Sequence, residues 1–443
     1  MRREKKHVSF ASLVNTMRGH CELLPDLRHN GKLRYPLVDI VMSAFACMFF
    51  QDRSLLQFQR RMEDEKQRSN VNSLFKVDKI PEDTQLRDVL DALPAESFRP
   101  LFKTYFSNLQ RGKHLEPFRF IGNKYLVSID GTQYFTSNEI SCPRCLTKEH
   151  KDGTLTYSHQ ALQAALVHPN CKQAIPLLAE DIRNNDGQTK QDCEINAAKR
   201  LIPSLRKAHP RLEVILLGDG LFSKNPMIEK VRDSRMDFIF GAKPDDHKYM
   251  MQWIESAEDE VQELRLPQDK GRFFVYRWLN DVPLTASDDA FSVNFFEFTI
   301  LAPDKQGNLK QTLHFSWVTN LPLSTRNIEK ITRAGRCRWK IENECFNTLK
   351  NQGYNLEHNY GHGSAHLAFN FYLLTLLAFL FHQIFELTDH LYQTARSKWS
   401  KLLLWERLRS LICFFGFDAW EHLMQHCLSP PQIISPFSDQ GSA

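Results

Sequence analysis

The chain has 443 residues, 42% of them hydrophobic and 25% charged, a balance that belongs to folded proteins and excludes a disordered chain. Lys plus Arg exceed Asp plus Glu only by 57 to 52, so total charge does not mark a polyanion-binding protein and the placement of charge must carry that argument. This length allows a large core and two or more domains.

The N-terminus opens with a short basic arm, Arg2-Arg3-Glu4-Lys5-Lys6-His7, either a solvated tail or a phosphate contact. Val8–Val14 offers no sustained apolar stretch, so no secretory signal is expected, and the ten cysteines are then expected to stay reduced in a cytoplasm. Residues 1–120 read as a helical region, a candidate for DNA binding or oligomerisation. Tyr35–Phe50 is apolar with Pro36 near its start, and Asp83–Leu93 spaces Leu86, Val89, Leu90 and Leu93 at helical intervals before Pro94.

Near residue 121 the texture turns to strands: Tyr125–Phe135, Tyr157–Val167 and Ala174–Leu178. A helix is expected over Lys190–Ala208, then the apolar run Val214–Leu217, a helix from Asn225-Pro226, and a strand at Phe238–Gly241. Residues 121–248 thus read as the first part of a mixed α/β core. Residues 249–322 read as a β-rich insertion, with strand-like texture from about 270 to 320. Residues 323–360 read as a helix completing the core, and 361–443 as C-terminal helices with a frayed tail after Pro430. Within Leu367–Leu387 the apolar run is confined to Phe371–Phe381, too short for roughly 30 Å of hydrocarbon. A buried core helix, not a membrane span, is expected.

Three carboxylates stand out. Asp130 lies inside a strand and is followed by Gly131; Asp219 ends an apolar run of four, the pattern of a strand covered on both faces. Ligands gather beyond the carboxyl ends of parallel strands. On a regular helix of about 100° per residue, Glu342 falls on the same face as Trp339, Cys345, Phe346 and Leu349, with Arg338 one turn earlier, while Glu344 faces solvent. A carboxylate on an apolar face needs a counter-charge: either Arg338 in a buried ion pair, or a metal ion. Three oxygen donors suit Mg²⁺ or Mn²⁺, and two such ions would serve phosphodiester chemistry.

In chain order, IDGTQYF (129–135), LGDGLFSK (217–224), FIFGAKPDDH (238–247), WVTNLP (317–322) and RCRWKIENECFNTLK (336–350) resemble the DDE transposases of bacterial insertion sequences. They are closest to the IS-four type, whose helix reads R-W-x-I-E-x-x-F-x-x-L-K. The resemblance spans about residues 30 to 425. It implies a ribonuclease-H-like fold with a β-rich insertion before the helix carrying the Glu, and metal-dependent DNA cleavage followed by strand transfer of the 3′-OH. It further implies Asp130, Asp219 and Glu342 as metal ligands and Arg338 as the motif Arg. The partners implied are double-stranded DNA, both element ends and target, and a second copy of the chain on paired ends, in a bacterial cytoplasm. A nuclease of this fold that cuts without joining, and a host-adopted DNA-binding protein, are the alternatives. Two positions depart from the motif. Gly335 replaces a Tyr, and the motif Lys falls one place late, at Lys350, as a one-residue insertion near Asn343–Cys345 would cause.

Lys224, Lys243, Arg336, Arg338 and Lys350 flank the acidic residues and are candidate phosphate contacts. Trp317 is a candidate for base stacking, weighed against core packing. Cys142 and Cys145 have the spacing of half a zinc site, which His150 and His159 would complete, with Cys171 also near in sequence. Among ten cysteines a chance pair is the commoner explanation.

Overall fold

A computed structural model describes residues 7–28, 33–62, 69–184, 191–287 and 291–430. The basic arm up to Lys6, the residue Lys190 and the tail after Pro430 lie outside the described residues. The chain forms two compact units, one of residues up to His114 together with those from Leu349 onward, the other spanning Leu115–Thr348.

The first unit is helical. All thirteen residues of the helix Leu37–Phe49 are buried, and Pro36 is its N-cap, one place before the first helical position. It packs against Leu367–Thr388, where Phe45 meets Phe381 with ring centroids 4.9 Å apart. That second helix is long and apolar enough to cross a membrane, but 94% of its apolar window is buried within the protein. Its N-terminus is held by Asp91, at the end of the helix Asp83–Ala92. The Asp91 carboxylate accepts backbone N–H bonds from Ser364, Ala365, His366 and Leu367 at 2.8–3.0 Å.

The second unit is built on one sheet. Its strands are β1 (Tyr125–Ser137), β2 (Leu146–Glu149), β3 (Leu155–Val167), β4 (Ile175–Ile182), β5 (Val214–Gly218), β6 (Asp237–Gly241), β7 (Gln262–Pro267), β8 (Phe273–Pro283), β9 (Ser292–Pro303) and β10 (Leu309–Thr319). The order is β2-β3-β1-β5-β6-β10-β9-β8-β7, and β4 also pairs with β3. Along β4-β3-β1 the pairing is antiparallel, and along β1-β5-β6 it is parallel. Three antiparallel strands continued by two parallel ones make the ribonuclease-H-like sheet that the sequence led us to expect. The later strands extend it antiparallel from the edge of β6. Every residue of β5 is buried, as a parallel strand flanked on both sides requires. The helix Glu194–Ala208 packs on β3 and β4, and the helix Asn225–Asp233 connects β5 to β6.

The segment that carries Glu342 is not one regular helix. An α-helix, Ile328–Arg336, tightens to a 3₁₀ turn at Cys337–Trp339, widens to a π-helix at Ile341–Phe346, and returns to α at Asn347. A π turn closes i→i+5 and so takes up one more residue than an α turn. It encloses the Asn343–Cys345 stretch where the motif spacing calls for one insertion.

Candidate active site

The parallel register sets the first two carboxylates. The last paired step between β1 and β5 is Ser128 with Leu217, and two residues further along each chain stand Asp130 and Asp219. Neighbouring strands lie about 4.8 Å apart, so the two carboxylates leave the sheet side by side beyond the carboxyl end of β5. Asp219 begins a 3₁₀ turn, Gly220–Phe222, and its Oδ1 accepts the Leu221 N–H at 2.9 Å, which orients the group.

The irregular helix supplies the third. Ser128 Oγ donates to the Arg338 carbonyl at 3.1 Å, and Gln163 Nε2 donates to Cys345 Sγ at 3.2 Å, which ties the segment to β1 and β3. Arg338 Nη1 then donates to Asp130 Oδ2 at 2.7 Å and to Glu342 Oε1 at 2.9 Å. One guanidinium thus bridges two acids that come from positions 130 and 342. The Asp130 carboxyl is pushed up to about 7, first by burial, then by its bond to Glu342 and the charges of Glu342 and Asp219, against the opposing pull of Arg338.

The regular-helix reading of this segment needs correction. Glu342 is 38% exposed rather than set in a buried face, Trp339 is 48% exposed, and Glu344 is partly buried rather than solvated. The residues that turn inward are Cys337, Ile341, Cys345 and Phe346. The 3₁₀ and π turns change the angle per residue, so a 3.6-residue wheel misplaces Trp339, Glu342 and Glu344, although Cys345, Phe346 and Leu349 are buried as it expects. Glu342 therefore opens to solvent on one side and meets Arg338 on the other.

A fourth carboxylate, Glu194, was not anticipated. It is the first residue of the helix Glu194–Ala208, and its proton is held above the usual range by burial and by the charge of Asp219. Its carboxylate fills the space beside Gly131: a Cβ there would fall 2.1 Å from Glu194 Oε1. The glycine after Asp130 is thus the sequence trace of Glu194, although nothing around position 194 points to it. Four acids with one guanidinium among them leave an excess of negative charge and a set of hard oxygen donors. That donor chemistry fits Mg²⁺ or Mn²⁺.

Residues 184–380 match the family described as Transposase DDE domain, a stretch that includes Asp219 and Glu342 but not Asp130. Residues 184–380 thus carry a transposase DDE domain. A cryo-EM structure of a piggyBac transposase synaptic complex with hairpin DNA is similar at 9% identity and a TM-score of 0.39, with 97% of this chain and 80% of that chain covered. No curated protein matches. The matched domain is that of DDE-type enzymes, a family that acts on DNA and depends on divalent metal.

The remaining sequence candidates separate in space. Lys243 is exposed, with its side chain beside Gly220, the residue after Asp219. Lys224 donates to the Asp246 carbonyl at 2.7 Å and lines an open pocket with Lys248 and Tyr249. The Arg336 guanidinium sits 5.8 Å from the ring centres of Phe298 and Phe315 on the β-rich insertion. Lys350 pairs with Glu357 at 2.9 Å. Trp317 is a correction: it is only 6% exposed and stacks on Phe296, so its ring is part of the core and is not presented to a base. Gly335 explains why. A Cβ at 335 would come within 2.8 Å of Trp317 Cε2, so the Tyr of the family motif gives way to an indole brought from β10. The tryptophan that does face outward is Trp339, with the Arg338 guanidinium over its ring at 4.9 Å.

Cys142, Cys145 and His159 come together. His150 does not join them: its Nε2 bonds Thr156 Oγ1 at 2.8 Å. Cys171 contacts His168 instead, with Sγ 3.6 Å from Nδ1.

Proposed function

We propose that this transposase cleaves double-stranded DNA at the ends of a mobile element and joins the freed 3′-OH to target DNA, with Asp130, Asp219 and Glu342 as its catalytic carboxylates. The observation that carries the reading is the juxtaposition of Asp130 and Asp219 on adjacent parallel strands with Glu342 drawn to Asp130 by Arg338. A side chain from the helical segment and two from the sheet meet where no ordinary packing argument requires three acids.

In this reading the three carboxylates hold Mg²⁺ or Mn²⁺, two ions for an in-line displacement. When bound, the metal supplies Lewis-acid stabilisation of the attacking and leaving oxygens. The chain's own contribution is placement. The Leu221 N–H orients Asp219, and Arg338 aligns Asp130 with Glu342 and limits their mutual repulsion. Lys243, beside the Asp219 turn, and Lys224 are positioned to meet phosphates, with Arg336 and Lys350 as further contacts. A second copy of the chain would hold the partner end, as paired-end chemistry demands.

The test is a strand-transfer assay with Mg²⁺, using the full chain and duplexes copied from the DNA that flanks its coding region. Wild type is expected to cut and join. Glu342→Gln should lower cleavage by at least about a thousandfold, as expected for removing a ligand of the reacting centre, while duplex binding in a mobility-shift assay stays within a fewfold. Full cleavage by Glu342→Gln would overturn the site. Cleavage without any joining by wild type would replace transposition by nuclease action.

A further inference from the structure

We infer that Cys142, Cys145 and His159 form a structural zinc site, separate from the carboxylates and independent of the function proposed for them.

The geometry is that of one face of a coordination tetrahedron. The Sγ atoms of Cys142 and Cys145 are 3.6 Å apart, and His159 Nε2 lies 3.3 Å from the first and 3.4 Å from the second. Around a tetrahedral ion with Zn–S of ~2.3 Å and Zn–N of ~2.0–2.1 Å, the edges should be ~3.8 Å between sulfurs and ~3.6 Å from sulfur to nitrogen. All three separations agree within a few tenths of an ångström. A disulfide would bring the sulfurs to ~2.05 Å and would have no use for an imidazole nitrogen set nearly equally from both.

The local fold prepares each donor. Residues 142–145 form a tight turn closed by the Cys145 N–H to the Cys142 carbonyl at 3.1 Å. The Cys142 N–H points at Cys145 Sγ at 3.4 Å, which fixes the place of that sulfur within the turn. His159 projects from β3, where a bulge in β1 between Gln133 and Phe135 sets Phe135 opposite it. Its ring stacks on Tyr134 at 5.7 Å and leans on Phe135 at 6.0 Å, which fixes the orientation of Nε2. Cys145 and His159 are buried, at 2% and 3% exposure.

Two thiolates and an imidazole are softer than the oxygen donors of the acidic cluster, so they select Zn²⁺ over Mg²⁺ or Mn²⁺. The fourth vertex is left to water or to another donor of the chain. The placement argues for a staple rather than a second reaction centre. The ion would pin the 142–145 turn to β3, and so fix the connection that follows β1, the strand bearing Asp130.

The test uses the full chain purified from zinc-containing medium. Elemental analysis should find about one zinc per chain, bound tightly enough to survive desalting. Replacement by Co²⁺ should give sulfur-to-metal charge-transfer absorption and the intense visible bands of tetrahedral cobalt, and Cys145→Ser should remove about half of the charge-transfer intensity. Should Cys145→Ser fail to fold, wild type alone decides. A strong chelator should remove the zinc, lower the melting temperature and open residues 138–154 to protease, and Zn²⁺ but not Mg²⁺ should reverse this. Glu342→Gln should keep its zinc, which separates this outcome from failure of the carboxylate site. A folded wild-type chain with no stoichiometric zinc and no uptake of Co²⁺ would overturn the proposal, as would recovery of Cys142 and Cys145 as a disulfide.

Discussion

Replacing Asp130 by Asn should remove a pH dependence of stability that wild type shows between pH 6 and 8. Burial and the neighbouring acids raise the Asp130 carboxyl from its ordinary 3.8 to about 7 in the folded chain. A raised acid binds its proton more tightly folded than unfolded, so it favours the folded state at low pH, and that stabilisation is lost as pH rises through about 7. With this midpoint the carboxyl is roughly nine-tenths protonated at pH 6 and one-tenth at pH 8, and the integrated change is about 1 kcal/mol. Urea unfolding without divalent cations, followed by tryptophan fluorescence, should show wild type losing about 1 kcal/mol more than Asp130→Asn over this range. Groups remote from the acidic cluster cancel in the difference. Adding Mg²⁺ should restore wild type more at pH 8 than at pH 6, because the cation competes with the proton for the same oxygens. Identical pH profiles for the two proteins would show that Asp130 is not crowded by acids, and the reasoning about the cluster would fail with it.

Two further perturbations test the scaffold around the site and the helical unit. Gly335→Ala should destabilise the chain, because about 1–3 kcal/mol of overpacking against Trp317 outweighs the roughly 1 kcal/mol that Ala gains over Gly in a helix; a higher melting temperature would mean that the indole can move aside. Burial alone would raise the Asp91 carboxyl, but the backbone N–H groups of residues 364–367 bring it down to about 2, so its contribution is present above pH 3.8 and is lost as pH falls through about 2. Asp91→Ala should cost about 1–2 kcal/mol at pH 7, as loss of a helix cap does, and a variant with unchanged denaturant midpoint would refute the capping role.

The sheet was legible because its signals are local. Val214–Leu217 is an unbroken apolar run, and a strand covered on both faces is the simplest way to bury it. Asp219 at its end, and Asp130 within a strand ahead of Gly131, could be marked from the same texture. β7 carried no such signal: Gln262–Pro267 has no buried residue, so its sequence reads as solvated chain. Glu194 was hidden for a different reason. Its role depends on the contact of a helix start with Gly131, a tertiary fact that leaves only a glycine as its mark. Position 150 failed in the opposite way, since a histidine close in sequence to Cys145 turned out to bond Thr156 on the neighbouring strand. Sequence distance limits which side chains can meet, but strand register decides which do.

The segment around Glu342 shows how one extra residue can be absorbed without losing a site. An insertion in a regular α-helix rotates everything after it by about 100°, which would carry either Glu342 away from Arg338 or the following apolar residues away from the core. A π turn confines the extra residue to Ile341–Phe346. Arg338 and Glu342 precede or begin that turn and keep their shared contact. Cys345, Phe346 and Leu349 still point inward. Lys350, the late Lys of the motif, follows the turn in the α segment Asn347–Asn351 and pairs with Glu357. The wheel failed because it assumed a constant pitch at the one segment where the pitch is what preserves the geometry.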